Sequence, residues 1–245
     1  MQNLPSYADF WKTFDMILII NLKEDKHRRV QIKAMCNKLS IPCQFFDVER
    51  HPEGGFVGSF ESHQLCMRKA YATGCQNVLI FEDDAEILNM PSQKAMDEVS
   101  RFIKTHQDWE IFYLGSNPLL FNETTQKLVG YSHVRGIRST HAHAYVASRK
   151  YMEKFMQVNY ALLEQPVDVY ASFSKRAFAV FPTWFYQPKI TNYSPTFFHR
   201  GVINAKNWYA FNVNIQLEYV VWVMSALFML LIILLIYMSL SNLRK

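Results

Sequence analysis

Three adjacent carboxylates, Glu82-Asp83-Asp84, follow directly on the apolar run Val78-Leu79-Ile80-Phe81. Neighbouring like charges repel, so a chain keeps three together where a cation compensates them or where the site is very wet. A hard divalent ion suits such a trio, because Mg²⁺ and Mn²⁺ take oxygen ligands and complete their shell with substrate phosphates. That ion would also solve a chemical problem. Breaking the bond between a sugar and a nucleoside diphosphate builds negative charge on the leaving phosphate, and a bound metal neutralises it. The plainer alternative is a solvated acidic turn or helix start after a strand.

The elements around the trio set its place. Residues 14–185 read as alternating strands and helices. Met16–Asn21 is a short apolar run that suits a buried strand, and Glu24–Leu39 carries Val30, Ile32, Met35 and Leu39 among charges, as an amphipathic helix does. Cys43–Asp47, Val78–Phe81, Trp109–Leu114, Ala142–Ala147 and Phe178–Phe181 are further predicted strands. Helices are expected from a Ser59 cap to Thr73 with Gly74 as the terminator, over Ser92–His106, from Ser148, and over Asp168–Lys175. Such alternation predicts an α/β fold, a mainly parallel sheet with helices on both faces. In open sheets of this kind ligands bind outside the carboxyl ends of strands, where the trio stands. The stretch 115–140 reads as one long, weakly patterned loop, the kind that often serves as a lid or binding segment.

Composition bounds the remainder. The 245 residues fit one sizeable domain and something short, with 50% apolar residues to build a core. A net charge of +5 is mild and spread out, and the densest basic run, Lys23 to Lys33, is broken by Glu24 and Asp25. Nucleic-acid binding, which needs a concentrated basic patch, is not expected. Cys36, Cys43, Cys66 and Cys75 show no C-x-x-C spacing, so they read as buried free thiols rather than a structural zinc site. The tripeptides Asn122-Glu123-Thr124 and Asn192-Tyr193-Ser194 would matter only for a domain facing a secretory lumen.

Near the end, residues 219–240 carry no charge. About 20 apolar residues match the roughly 30 Å hydrocarbon thickness of a bilayer. Tyr219, Trp222 and Tyr237 stand near its ends, where amphipathic aromatics favour the headgroup region. The expected organisation is therefore a domain over residues 1–210, a single transmembrane helix at 219–240 as the lipid-bilayer anchor, and a short basic tail at 241–245. Orientation is open. The lack of a signal-like start points to tail anchoring with a cytoplasmic domain, whereas Arg244 and Lys245 point the other way.

Four blocks in order resemble glycosyltransferase family 25, which includes bacterial lipopolysaccharide glycosyltransferases and collagen galactosyltransferase domains. They are Ile19-Ile20-Asn21-Leu22 with Arg28-Arg29, Gly58-Ser59-Phe60-Glu61-Ser62-His63, Leu79-Ile80-Phe81-Glu82-Asp83-Asp84-Ala85, and Thr140-His141-Ala142-His143-Ala144-Tyr145 followed by Pro166-Val167-Asp168. The resemblance implies a GT-A-like fold, a UDP-sugar donor (galactose or glucose), Mn²⁺ or Mg²⁺, and transfer of the hexose to a hydroxyl on a protein, glycan or lipid-linked saccharide, the protein acceptor of hydroxylysine type. It makes Asp84 a metal ligand, with Glu82 a second ligand or, like Asp83, a contact to ribose or metal-bound water. Asn21 and Leu22 would meet the nucleotide, Arg28 or Arg29 would steady phosphate or face solvent, and Ser62 and His63 would face the pocket. His141 and His143 are read as two residues apart on one strand face. One of them would ligate metal or hold the diphosphate, and His143 fits the family block better. Asp168 is a general base for an inverting reaction, an acceptor contact, or a helix cap. One departure is that Cys66-Met67-Arg68 stands where bacterial members often place a tryptophan. The competing readings are a catalytically inactive, membrane-anchored binding protein of the same fold, and a metal-dependent phosphohydrolase, which would need more His and Asp ligands than the chain offers.

Overall fold

The computed structural model describes residues 7–118, 126–137, 139–159 and 166–187. The expected membrane segment and both sequons lie outside them, and among the described residues no helix is long and apolar enough to cross a membrane. The order is α1 (Tyr7–Trp11), β1 (Met16–Leu22), α2 (Lys26–Leu39), β2 (Gln44–Val48), α3 (Gly55–Ala72), β3 (Asn77–Glu82), β4 (Glu86–Ile87), α4 (Gln93–Thr105) and β5 (Ile111–Tyr113). Then come β6 (Asn117–Pro118), β7 (Gln126–Lys127), β8 (Val134–Gly136), β9 (Ser139–Thr140), β10 (Ala144–Ser148), α5 (Arg149–Met156), α6 (Val167–Ser172), β11 (Ala177–Val180) and β12 (Phe185–Tyr186).

Eight strands form one sheet in the order β2-β1-β3-β10-β5-β11-β8-β7. Six of them run in one direction, and β10 and β8 run against it, so the sheet is mostly parallel but mixed. Side chains alternate across a strand, and here the alternation divides two cores. Ile17, Ile19, Leu79, Phe81, Phe112, Ala144, Val146 and Val180 pack on one face with residues of α1, α2 and α4. Leu18, Val78, Ile80, Ile111, Tyr113, Tyr145, Ala147 and Ala179 pack on the other with α3, α5 and α6. The near-continuous apolar runs of β1 and β3 follow from burial on both faces.

Local signals fix most boundaries. The side chains of Asp25, Ser92 and Ser148 accept hydrogen bonds from the backbone N–H groups of Arg28, Ala95 and Tyr151, capping α2, α4 and α5. Gly74 takes φ 83° just after α3, as a terminator should. Two expectations need correction. Helix α3 starts at Gly55 with Gly54 as its cap at φ 101°, so Ser59 lies inside the helix. The stretch 115–140 is no plain loop. Its described parts supply β7 and β8 to the sheet edge and the separate β6–β9 pair, with strands too short for sequence periodicity to reveal. The four cysteines are free, and Cys36, Cys66 and Cys75 are buried.

A carboxylate clamp ties α4 to the segment that enters β8. Glu98, buried at 8% exposure, accepts hydrogen bonds from Ser132 N at 2.9 Å, Ser132 Oγ at 2.6 Å and His133 N at 2.7 Å. Burial works against its charge, but those donors outweigh it and hold the Glu98 carboxyl down at about 2. A lowered carboxyl stabilises the fold above its unfolded value, near 4.5, and the contribution fades as pH falls toward 2. Glu98→Gln is therefore expected to lose about 2–3 kcal/mol at pH 7. Denaturant midpoints measured across pH should show that gap closing between about pH 4.5 and 2; equal midpoints at pH 7 would refute the clamp.

Candidate active site

Strand β3 is buried over its apolar length and delivers Glu82, Asp83 and Asp84 at its carboxyl end. The end of β1 runs parallel beside it, with Ile20 opposite Glu82. On its other side lies the antiparallel β10, preceded by His143, whose carbonyl accepts from Glu82 N at 3.0 Å. Beyond the trio the chain turns into β4, which pairs with β12 and so returns Gln187 to the carboxylates.

Each carboxylate has its own compensation. Glu82 Oε1 lies 3.1 Å from His63 Nε2, and His63 Nδ1 lies 2.8 Å from the Tyr145 hydroxyl. A carboxylate offers only lone pairs. The chain therefore runs from the Tyr145 O–H to Nδ1, and from Nε2–H to Glu82. Asp83 accepts from Arg28 Nη1 at 3.1 Å and from Leu22 N at 3.4 Å. Asp84 Oδ2 is 3.4 Å from Arg28 Nη1 and accepts from Gln187 Nε2 at 3.0 Å. The same Gln187 nitrogen donates to Glu82 Oε2 at 3.2 Å. Asp84 Oδ1 is buried without a partner.

These surroundings move the three titrations apart. Burial and the neighbouring Glu82 charge push Asp84 up to about 6, against the pull of Gln187 and Arg28. Burial also raises Asp83, outweighing Arg28 and the Leu22 N–H. For Glu82 burial acts upward, yet the hydrogen bond from His63 holds it below the usual carboxylate range. Burial keeps the Tyr145 phenol well above its ordinary value, so it remains a donor.

Two cavities meet at the trio. The first, of about 380 Å³, is bordered by Leu22, Arg28, Arg50, Ser62, His63 and all three carboxylates, with Gly55 and Gly58 at the start of α3. The second, of about 210 Å³, is bordered by Phe56, His141, Pro166 and Asp168. Ser59, Glu82 and Gln187 border both. Leu22, Arg28, Ser62, His63, Glu82, Asp83 and Asp84 are thus brought together around one space, and His141 and Asp168 around the adjoining one. Asn21 is not on the wall of either. It is buried, donating to Leu22 O at 2.7 Å and Asp47 Oδ1 at 3.3 Å. Ser62 spends its hydroxyl on the Gly58 carbonyl within α3. Arg29 pairs with Asp47 away from the trio. Asp168 Oδ1 accepts from Val169 N at 2.9 Å.

The two histidines depart from expectation. Strand β10 begins at Ala144, so His141 and His143 precede it, and His141 adopts φ 82°. They do not share a strand face. Their rings meet edge-on at 5.8 Å, with His141 on the second cavity and His143 on neither. Burial, with His141 adding to it, pushes His143 down to about 4, against Glu82 and the Phe185 carbonyl. Sequence reasoning missed Gln187, since a lone glutamine amid Pro, Tyr and Phe gives no signal. It quoted Tyr145 without its bond to His63, a contact 82 residues apart.

The donor set can be weighed for a cation. No group of three or more His, Cys, Asp or Glu among the described residues is placed to hold a metal ion. Glu82 and Asp84 do border one cavity, and Asp84 Oδ1 is an orphaned buried acceptor. Mg²⁺ and Mn²⁺ are usually held by one or two carboxylates together with waters and substrate phosphates. The residues fit a cation shared with a phosphate ligand, and do not fit an all-protein cage.

Compared with known proteins, the chain matches no protein-family model and no curated protein. Among solved structures it is similar to A197 from STIV, at 12% identity and a TM-score of 0.44, over 71% of this chain and 84% of that one. It is similar to a glycosyltransferase involved in the glycosylation of the major capsid of PBCV-1, at 9% identity and a TM-score of 0.38, over 67% of this chain and 80% of that one. It is also similar to a UDP-glucose pyrophosphorylase complexed with UDP-glucose, at 9% identity and a TM-score of 0.39, over 74% and 78%. Likenesses this distant carry no function across to this chain.

One close approach behind the trio is directly testable. A Cβ on Gly115 would fall within the buried His143 imidazole and 3.1 Å from the Phe185 carbonyl. Gly115→Ala is expected to cost about 1–3 kcal/mol, as overpacking does. Adding His143→Ala should recover part of that loss, giving a non-additive pair in denaturation measurements. Strict additivity would show that the two residues do not touch.

Proposed function

We propose that the chain is a divalent-cation-dependent glycosyltransferase that moves a hexose, galactose or glucose, from a UDP-sugar to a hydroxyl acceptor with inversion. The observation that carries this reading is the orphaned Oδ1 of Asp84, a residue that borders a cavity where carboxylates and anion-binding groups stand together. Carboxylates alone would repel a diphosphate. Here Arg28 reaches into the same cavity, and α3 begins on its wall at Gly55 with no side-chain cap. Free N–H groups at a helix start favour phosphate. A cavity of about 380 Å³ lies within the usual range for small-molecule sites.

In this reading the cation is held by Asp84 and Glu82, with Mn²⁺ or Mg²⁺ matching their oxygens. When bound it would neutralise charge on the leaving diphosphate. Arg28 and the start of α3 orient the phosphates, and His63, braced by Tyr145, fixes the Glu82 carboxylate. Asp168 borders the second cavity, where an acceptor hydroxyl would lie, and takes its proton as the donor bond breaks. The segment 219–240 would anchor the enzyme to a lipid bilayer in a single pass, and protease protection in sealed vesicles would decide the side. A second reading is favoured by one observation: Arg28 and Gln187 already compensate the acids without a metal. The chain would then be a catalytically inactive glycan- or partner-binding protein of this fold.

A panel of UDP-sugars with Mn²⁺, scored for UDP release with and without candidate hydroxyl acceptors, separates the readings. Turnover with one donor is expected, with a loss of about 100-fold or more in folded Asp84→Ala, the scale of removing one charge-stabilising group. Asp168→Asn should lose transfer by a similar order while keeping Mn²⁺-dependent UDP binding in calorimetry. No turnover together with no Mn²⁺-dependent UDP binding would leave the binding protein standing. Wild-type rates in Asp84→Ala would refute the metal assignment.

A further inference from the structure

We infer that Gln187 is itself a protein ligand of the divalent cation, offering its side-chain amide oxygen beside Glu82 and Asp84. The inference rests on the metal-dependent reading above and adds a residue from the far end of the fold. It starts from a single atom. Gln187 Nε2 donates to two carboxylates at once, Glu82 Oε2 at 3.2 Å and Asp84 Oδ2 at 3.0 Å. Two ligand atoms at right angles around an ion with bonds near 2.1 Å stand about 3.0 Å apart, the edge of an octahedron. The Gln187 atom therefore stands from each carboxylate oxygen at the spacing of neighbouring ligands on one ion.

Polarity decides which end of the amide faces the acids. With no cation between them, two carboxylates attract the N–H₂ end, and Gln187 caps them as a weak positive dipole. With a cation there, the same place needs a lone pair. A half turn about the last side-chain torsion exchanges nitrogen for oxygen at nearly constant shape. Amide carbonyl oxygens are ordinary hard ligands for such ions. A separate observation concerns the other oxygen of Asp84: with 10% of its side chain exposed, this residue keeps Oδ1 as a buried acceptor without a partner.

The backbone holds Gln187 where this requires. Strand β12 ends at Tyr186 and pairs with β4, Tyr186 opposite Glu86 and Phe185 opposite Ile87. The Tyr186 hydroxyl also donates to Glu86 Oε2 at 2.8 Å. Strand β4 starts two residues after Asp84, so a short bracket fixes the distance between the acids and the amide. No group of three His, Cys, Asp or Glu among the described residues is placed to hold a metal ion, and a neutral ligand supplies the third protein atom.

The test is Mn²⁺ binding to the full-length chain in detergent, with Mn²⁺ alone and with UDP, followed by calorimetry and by the resonance signal of free Mn²⁺. Gln187→Ala is expected to bind at least about tenfold more weakly, and to melt lower in the absence of Mn²⁺ because two carboxylates lose their shared donor. Gln187→Glu keeps the shape and presents only oxygens. It should bind Mn²⁺ at least as tightly as the native chain, melt lower without the ion because three acids then crowd together, and recover when Mn²⁺ is added. If Gln187→Ala binds Mn²⁺ equally well or more tightly, Gln187 is only a cap that the ion displaces, and the inference fails while the metal site stands. A native chain that binds no Mn²⁺ under either condition overturns the metal-dependent reading and the ligand with it.

Discussion

The constraint on which this structure turns is the accumulation of three carboxylates at the end of a strand buried on both faces. Charge is expensive to hold where water is scarce, and adjacent like charges raise the cost. The fold answers with separate partners drawn from distant parts of the chain. His63 comes from α3, Arg28 from α2, and Gln187 from the end of β12. Those three elements surround the end of β3 because its crossovers place α2 on one face of the sheet and α3 on the other. The trio is thus a site that the fold was shaped to neutralise only in part, since Asp84 Oδ1 is left over.

The reversed strand β10 is what completes this arrangement. Lying between β3 and β5, it brings the Tyr145 hydroxyl to the inner nitrogen of His63 and the His143 carbonyl to the Glu82 N–H. The outer nitrogen of His63 then has a fixed direction, and Glu82 gives one oxygen to it and the other to Gln187. A parallel strand there would have arrived from the opposite end of the sheet and carried its preceding loop away from the trio. The same insertion packs His143 against Gly115, where a side chain would collide.

Much of this could be read in the residues. The unbroken apolar runs 16–20 and 78–81 pointed to β1 and β3, because burial on both faces leaves no polar alternation to confuse them. Ser92, Ser148 and Gly74 announced helix ends through chemistry local to each position, whereas Asp25, the cap of α2, was read inside the expected helix Glu24–Leu39. The acidic trio was visible for the same reason: three like charges in a row need a local explanation. What stayed hidden depends on contacts across the fold. The reversal of β10 has no sequence signature, since a buried strand looks alike in either direction. The dipeptide strands between residues 115 and 140 are shorter than any periodicity. Gln187 acquires meaning only when β12 pairs with β4, nearly a hundred residues earlier. Ser59 misled because a capping residue four positions inside a helix resembles one at its start, and Gly54 took the place through its positive φ.

The three acids are not equivalent, and the difference follows from where each is tied. Asp83 takes the Leu22 N–H and the Arg28 guanidinium, so it fastens the acidic turn to the end of β1. Asp83 and Asp84 are the central residues of a turn closed by Ala85 N donating to Glu82 O at 3.1 Å, and Glu82 and Asp84 converge on one Gln187 nitrogen. The middle acid therefore serves position, and the outer two remain for a ligand. Of these, Glu82 is already steadied by His63, which leaves Asp84 with the least compensation and the most to gain from a cation. Glu82 and Gln187 also border the second cavity, so whatever binds between the outer acids touches the partition between the two spaces. A cation there would bind one substrate and stand beside the place of the other, which is the arrangement a transfer reaction requires.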